Sequence, residues 1–378
     1  MNMKRLVVFN QHASFITIDI VNAFVEKKEY DEIVLIAGVI NERDVKLHSS
    51  VKIIKVSPYK KENLRVRLMS WMSAFLKFLW IVTFRYWSCD VFMISNPPLI
   101  SFFPYLSRKK YSVLIFDVYP DALSAGGFVS ERSFLYKTWA KVNRLFYRKA
   151  MRIYTISEGM KKRISQYVDV NRIELVSLWS SFNPEIIERD ENIFIKEYDL
   201  IDKFVIMYSG NMGKGCGLEA IVESAKRLSG HEEIIFLFVG DGWSEAMLKK
   251  MVNKYELKNC IFLPYQDASI LRFSLSAADV AVISLPGATS SISIPNKLYT
   301  LIALGRPLLC LTPKNTDLYD IVMRNDIGQC FDPHDIDGIT EYILKMQNNI
   351  KYRQVIINNA IKTSRLFTKE NARIVKIK

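Results

Sequence analysis

The sequence predicts an α/β protein of two open parallel sheets, each covered by helices, in two domains facing each other across a cleft. Three observations carry that expectation. Short runs rich in Val, Ile, Leu and Phe alternate with helix-like segments along the chain. Most of these runs break into small or polar residues, as strands do where they turn into helices. The chain has 378 residues, more than one core usually holds and enough for two ordinary domains.

The first domain is assigned to residues 1–182. Its expected strands are 6–9, 33–37, 51–56, 91–95, 113–116 and 153–156. Several end at small or polar residues: Asn10, Ser57, Ser95-Asn96-Pro97-Pro98, Asp117 and Ser157. The run 6–9 is too short for a signal-peptide core and reads as the first strand. Residues 183–203 are polar, with Pro184 and several carboxylates, and are assigned as a linker. The second domain is assigned to 204–345. Its run 204–208 breaks into Ser209-Gly210-Asn211-Met212-Gly213-Lys214-Gly215, ahead of a helix-like segment at 218–228. The run 234–239 breaks into Gly240-Asp241-Gly242. The run 280–285 breaks into a loop that ends in Pro295-Asn296-Lys297 and a helix. Residues 346–378 read as a helical tail with a basic end.

Hydrophobic residues make up 49% of the chain and charged ones 24%, which excludes a disordered class. The formal net charge is +13. Such an excess implies an anionic partner, whether nucleic acid, a membrane surface or a phosphorylated substrate, or else a solvated basic face. No nucleic-acid recognition motif is found, so no nucleic-acid partner is expected. The five cysteines form no C-x-x-C pair, which suggests neither a zinc site nor a redox pair. They fit buried thiols in a reducing cytosol.

Residues 64–88 combine Trp71, Phe75, Phe78, Trp80, Phe84, Tyr86 and Trp87 with Arg65, Arg67, Lys77 and Arg85. Lys77 sits mid-run, and the segment falls between two strands of one expected sheet, so a spanning helix would tear the domain apart. Two readings stand: a buried crossover helix, or an interfacial helix with aromatics in the lipid boundary. A second basic, aromatic segment at 136–152 tilts the expectation toward a membrane-facing first domain.

In parallel sheets, ligands bind at the carboxyl edge, where glycines let backbone N–H groups approach a phosphate. Gly210, Asn211, Gly213 and Lys214 are therefore candidates for holding a diphosphate. Asp241, between Gly240 and Gly242, suits a hydroxyl or a base edge, or caps the next helix. Ser291, Ser293 and Pro295 lead to Lys297, a cation in a helix's first turn. That placement opposes the helix dipole unless an anion lies between them. In the first domain, Asp117 and Asp121 are the candidate catalytic carboxylates, as base or as orienter of an acceptor hydroxyl, with helix capping the alternative for Asp121. Asp335-Ile336-Asp337 reads as helix capping, and no metal or cofactor is expected.

Taken in order, Tyr208-Ser209-Gly210-Asn211-Met212-Gly213, Phe238-Val239-Gly240-Asp241-Gly242, Leu275-Ser276-Ala277-Ala278-Asp279, Ile294-Pro295-Asn296-Lys297-Leu298-Tyr299 and Ala303-Leu304-Gly305-Arg306-Pro307 resemble the donor-binding domain of family-4 glycosyltransferases. The bacterial branch that builds O-antigen and capsule is the nearest. The resemblance implies the GT-B fold, two Rossmann-like domains. It also implies retaining, metal-independent transfer of a sugar from a nucleotide donor. Family members meet the donor diphosphate with the glycine turn and a basic residue, matched here by Lys214 and Lys297; Tyr299 falls in the same element. The chain departs from many members in lacking a glutamate near Thr300 and a histidine near Asp117. Its histidines are His12, His48, His231 and His334.

The expected function is a retaining glycosyltransferase using a lipid-linked acceptor. Its expected place is the cytoplasmic, inner face of the plasma membrane, peripheral on the anionic surface. A non-catalytic scaffold of the same fold and a sugar-nucleotide epimerase are the alternatives.

Overall fold

Strands covered by helices on both faces are apolar along their whole length, and the runs of the first half follow that rule. The computed structural model describes residues 3–42, 45–60, 64–125, 127, 129–285, 287 and 290–377. It divides the chain into two units, Met1–Ser181 with Lys369–Lys378, and Phe182–Thr368.

The first unit holds strands β1 (Arg5–Phe9), β2 (Glu32–Ala37), β3 (Lys52–Lys55), β4 (Asp90–Ile94), β5 (Tyr111–Ile115), β6 (Ile153–Thr155) and β7 (Ile173–Leu175). All pair in parallel, in the order β3-β2-β1-β4-β5-β6-β7. Val7 is flanked by Val34 and Val91, and all three are fully buried. Helix α1 (Phe15–Glu26) lays Ile16, Ile20 and Phe24 into the core. Helix α2 (Leu64–Trp80) continues into a π-helical turn, Ile81–Arg85, before β4. Helix α3 (Phe134–Lys149) is capped by Ser133, whose side chain accepts the Tyr136 N–H.

The second unit holds β8 (Phe204–Ser209), β9 (Ile234–Val239), β10 (Cys260–Leu263), β11 (Val280–Ser284), β12 (Leu308–Leu311) and β13 (Gly328–Phe331). Their order is β10-β9-β8-β11-β12-β13, again all parallel. Helices α4 (Glu219–Arg227), α5 (Glu245–Lys254) and α6 (Lys297–Ala303) follow β8, β9 and β11. Helices α7 (Ile336–Asn348) and α8 (Ile350–Ser364) follow β13. Both sheets reverse strand order once, beside β1 and beside β8, and such a switch point opens a crevice at the carboxyl edge.

Two expected boundaries differ from the structure. Residues 183–203 are built into the second unit. Asn192 caps the short helix Ile193–Glu197 and donates to the Phe273 carbonyl at 2.9 Å, while Phe194 and Ile195 are buried. Arg189 pairs with Asp279 at 3.1 Å. The polar surface of this stretch hides those two anchors. The segment 346–378 is likewise not one tail. Helices α7 and α8 belong to the second unit, where Ile339, Tyr342, Ile343 and Met346 enter the core. Residues beyond Thr368 return to the first unit: Lys27 Nζ donates to the carbonyls of Arg373 and Val375 at 2.9 and 2.7 Å, and Ser112 Oγ to that of Ile377 at 2.7 Å.

Candidate functional site

In the second unit the switch point brings the turn after β8 beside the exit of β11. Gly210 adopts φ +142°, open to glycine alone. A Cβ there would stand 2.8 Å from Lys297 Nζ, so its absence makes room for that amine. Lys297, at the start of α6, donates to the Ser209 carbonyl at 2.9 Å and lies 4.2 Å from the Tyr208 ring centre. Tyr208 in turn donates its hydroxyl to the Asn211 carbonyl at 2.7 Å. Burial pushes the Lys297 amine down to about 8. No carboxylate pairs with it among the described residues. A desolvated cation held at a glycine turn is an anion site in waiting.

Gly240 and Gly242 serve that turn from behind. A Cβ on Gly240 would lie 2.2 Å from the Gly210 carbonyl oxygen, and one on Gly242 would lie 2.6 Å from that of Met212. Their φ values are +129° and +143°. The Met212 N–H donates to the Asp241 carbonyl at 2.7 Å, and Ser244 Oγ to the Gly213 carbonyl at 2.9 Å. The two turns thus fit backbone to backbone, which fixes the glycine turn that seats Lys297.

The remaining candidates separate. Lys214 is exposed and lies 5.4 Å from the Trp243 ring centre. Asp241 contributes its carbonyl to the turn and leaves its carboxylate exposed. Ser291 is exposed, and Ser293 and Pro295 are half-buried, in the segment leading to Lys297. Tyr299 requires correction. It is 1% exposed and packs edge-on against Phe367 at 4.9 Å, two residues on from Lys297 along the helix. The contacts of Tyr208 and Ser244 with this turn are not legible in the sequence. Tyr208 reads as the last aromatic of a strand, and only its pairing with Lys297 reveals it.

In the first unit, Asp117 leaves the carboxyl end of β5. Its backbone N–H and that of Phe116 both donate to Ser95 Oγ, at 3.2 and 2.8 Å. Its side chain reaches solvent, yet surrounding protein desolvates the carboxyl and raises it above the usual range. It borders a cavity of about 20 Å³ with Ser95, Ser101, Tyr119 and Asn143, about the space of one water. Tyr119 stacks on Trp139 at 6.2 Å and meets the edge of Trp71 at 6.1 Å. Buried Gln11 Oε1 and Trp71 Nε1 have no hydrogen-bond partner among the described residues. Both escaped the sequence reading, because a lone Gln and a helix Trp carry no motif.

Asp121 is the second correction. It is 1% exposed and accepts from Arg163 Nε at 2.5 Å, Tyr136 at 2.7 Å and Tyr167 at 2.8 Å. A carboxylate so enclosed and so fully bonded ties these elements together and is closed off from a substrate. Asp335 accepts the Gly338 N–H at 3.0 Å as the cap of α7.

Residues 190–363 match the family model for glycosyl transferases group 1. The chain is 28% identical over 251 residues, 64% of its length, to a probable glycosyltransferase, WbjE, of Pseudomonas aeruginosa. It is 28% identical over 211 residues, 53% of its length, to the putative colanic acid biosynthesis glycosyl transferase WcaI of Escherichia coli K12. These matches span 62% and 52% of the relatives' own lengths. The Anabaena HepE structure in complex with UDP and glucose superposes with a TM-score of 0.71 at 13% identity, covering 99% of this chain and 98% of that one. At that identity the likeness concerns the fold, which is the GT-B fold with two α/β Rossmann-like units.

Proposed function

We propose, from a chain whose residues 190–363 form a glycosyl transferases group 1 domain, a glycosyltransferase of surface-polysaccharide synthesis. It moves a sugar, with retention, from a nucleotide donor to a lipid-linked glycan at the inner face of the plasma membrane. The observation that carries the reading is Lys297, an unpaired cation seated on the Gly210 turn at the sheet's switch point. As the glycosidic bond breaks, negative charge grows on the leaving diphosphate. The Lys297 ammonium and the loop N–H groups stabilise it there. Lys214, on its exposed neighbouring loop, adds charge from solvent. A relative named for colanic acid biosynthesis, a second named as a probable glycosyltransferase, and a structural neighbour bound to UDP and glucose support the substrate class.

The acceptor is assigned to the carboxyl edge of the first unit. Asp117, with its raised carboxyl, is suited to hold or take the acceptor hydroxyl proton. Because Lys297 and the loop amides meet the diphosphate charge, transfer is expected to continue in EDTA.

The test is calorimetry with UDP, GDP and the other nucleoside diphosphates. Lys297→Ala is expected to weaken binding by about 1.5–3 kcal/mol, the scale of a hydrogen bond to a charged group. Unchanged affinity would remove Lys297 from the site, and the reading with it.

A further inference from the structure

Helix α2 is half core and half bare. Trp71, Phe75, Phe78, Ile81 and Val82 face inward, and Phe78 stacks on Phe9 of β1 at 4.1 Å. On the other side Leu68, Met72, Leu76, Trp80 and Phe84 recur at intervals of four and are all exposed, with Met69 beside them. In an α-helix each step of four overshoots one turn by about 40°. The π-turn Ile81–Arg85, closed by the Tyr86 N–H on the Ile81 carbonyl at 2.9 Å, draws the last residue back into line. Trp80 and Phe84 ring centres lie 6.1 Å apart. Trp80 is 58%, Phe84 70% and Trp87 73% exposed, an aromatic cluster at the end of the helix. Residues 98–102 pack on α2, and the turn of helix that follows them exposes Tyr105 and Leu106.

The charge of the sequence that carries this face is almost all of one sign. Between Glu62 and Asp117 the acidic residue is Asp90, bonded to the Tyr30 hydroxyl at 3.0 Å. Against it stand Arg65, Arg67, Lys77, Arg85, Arg108, Lys109 and Lys110.

We infer that the stripe Leu68-Met72-Leu76-Trp80-Phe84 is a bilayer-docking face that seats α2 flat in the boundary of an anionic lipid membrane. The basic residues beside it meet the headgroups, and the aromatic cluster sits where headgroups give way to acyl chains. Arg65–Arg85 is long and apolar enough to cross a membrane. Its inner face nevertheless carries the core of the sheet, and spanning would strip Phe78 from Phe9 and Phe103. The inference deepens the reading of a membrane-borne acceptor and rests on it for its purpose, but its geometry is independent of any substrate.

The experiment is co-sedimentation of the full chain, without nucleotide, on phosphatidylcholine vesicles with and without phosphatidylglycerol, across a salt series. Binding is expected on the anionic vesicles, falling with salt, with Trp fluorescence quenched by brominated acyl chains. The pair Trp80→Glu and Phe84→Glu is expected to lower partitioning about a hundredfold, roughly tenfold per ring. Met69→Glu acts in the same direction alone. Both variants should keep the wild-type melting temperature and UDP affinity. Four results would each overturn the inference: no binding to either vesicle, equal binding to both, binding unmoved by the Glu variants, or a solution dimer that those variants dissolve. Resistance of the native protein to alkaline carbonate would overturn the flat seating. Loss of UDP binding with docking intact would count against the transferase reading alone.

Discussion

Gly240→Ala should be among the most costly single methyl additions in the second unit. The new Cβ would lie 2.2 Å from the Gly210 carbonyl oxygen, 3.0 Å from its carbonyl carbon and 3.3 Å from the Tyr265 ring. The first of these atoms is backbone, in a turn whose own φ is +142°, so it cannot swing aside. Alanine would also have to hold φ +129°, a region essentially reserved for glycine, at about 1–3 kcal/mol. Forcing the two turns apart adds about 1–3 kcal/mol of overpacking. The sum, about 2–6 kcal/mol, is a large part of the stability of an ordinary domain. Gly230→Ala is the control, since its Cβ would meet nothing within 4 Å and its φ is not positive; it should stay within about 0.5 kcal/mol. Denaturant unfolding, followed by hydrogen exchange in β8 and β9, reads both. Because the displaced turn is the one that seats Lys297, nucleotide affinity should fall with stability. A Gly240→Ala protein within 1 kcal/mol of wild type, with unchanged UDP affinity, would refute the backbone-to-backbone account of the turn.

Above the range where the terminal phosphate itself titrates, about pH 6, nucleotide affinity should fall as pH rises through about 8, where Lys297 loses its proton. Only the charged amine attracts the diphosphate, so the loss approaches tenfold per pH unit; Lys297→Ala should abolish the slope, and affinity that rises with pH would contradict it. Asp117→Asn should bind UDP normally and lose about a hundredfold or more in kcat, the scale of acid–base help, measured by sugar transfer. Asp121→Asn should act on stability instead, by about 2–4 kcal/mol, because it removes the buried carboxylate that Arg163 and two tyrosines share and leaves Arg163 only the exposed Glu131. A normal melting curve with lost turnover would return Asp121 to the chemistry.

Periodicity and turn chemistry reveal most of the scaffold. Runs such as 6–9 and 234–239 are uniformly apolar, and both become central strands. Strands β7, β10 and β13 are short and mixed, with Glu174, Cys260 and Gln329 in them, and owe their state to neighbours already in place. The stretch 183–203 looks like a tether because its contacts, Arg189 with Asp279 and Asn192 with Phe273, are distant in sequence. At the site, glycines and lysines announce themselves, but their division of labour does not. Gly210 faces the amine whereas Gly240 faces backbone, and only three-dimensional packing separates them. Asp117 and Asp121 are four residues apart and chemically identical, yet one opens to solvent and the other is enclosed by Arg163 and two tyrosines.

The return of residues beyond Thr368 to the first unit sets an order of birth. During synthesis the second unit has every segment it needs before Lys369 is made, whereas the first must wait, with Ser112, Tyr154 and Lys27 unpartnered, for the strand of chain that ends its own sheet's helical cover. The second unit is in effect an insertion that matures first inside an unfinished host. A chain stopped at Thr368 should therefore yield a protease-resistant second unit attached to a first unit that is readily cut.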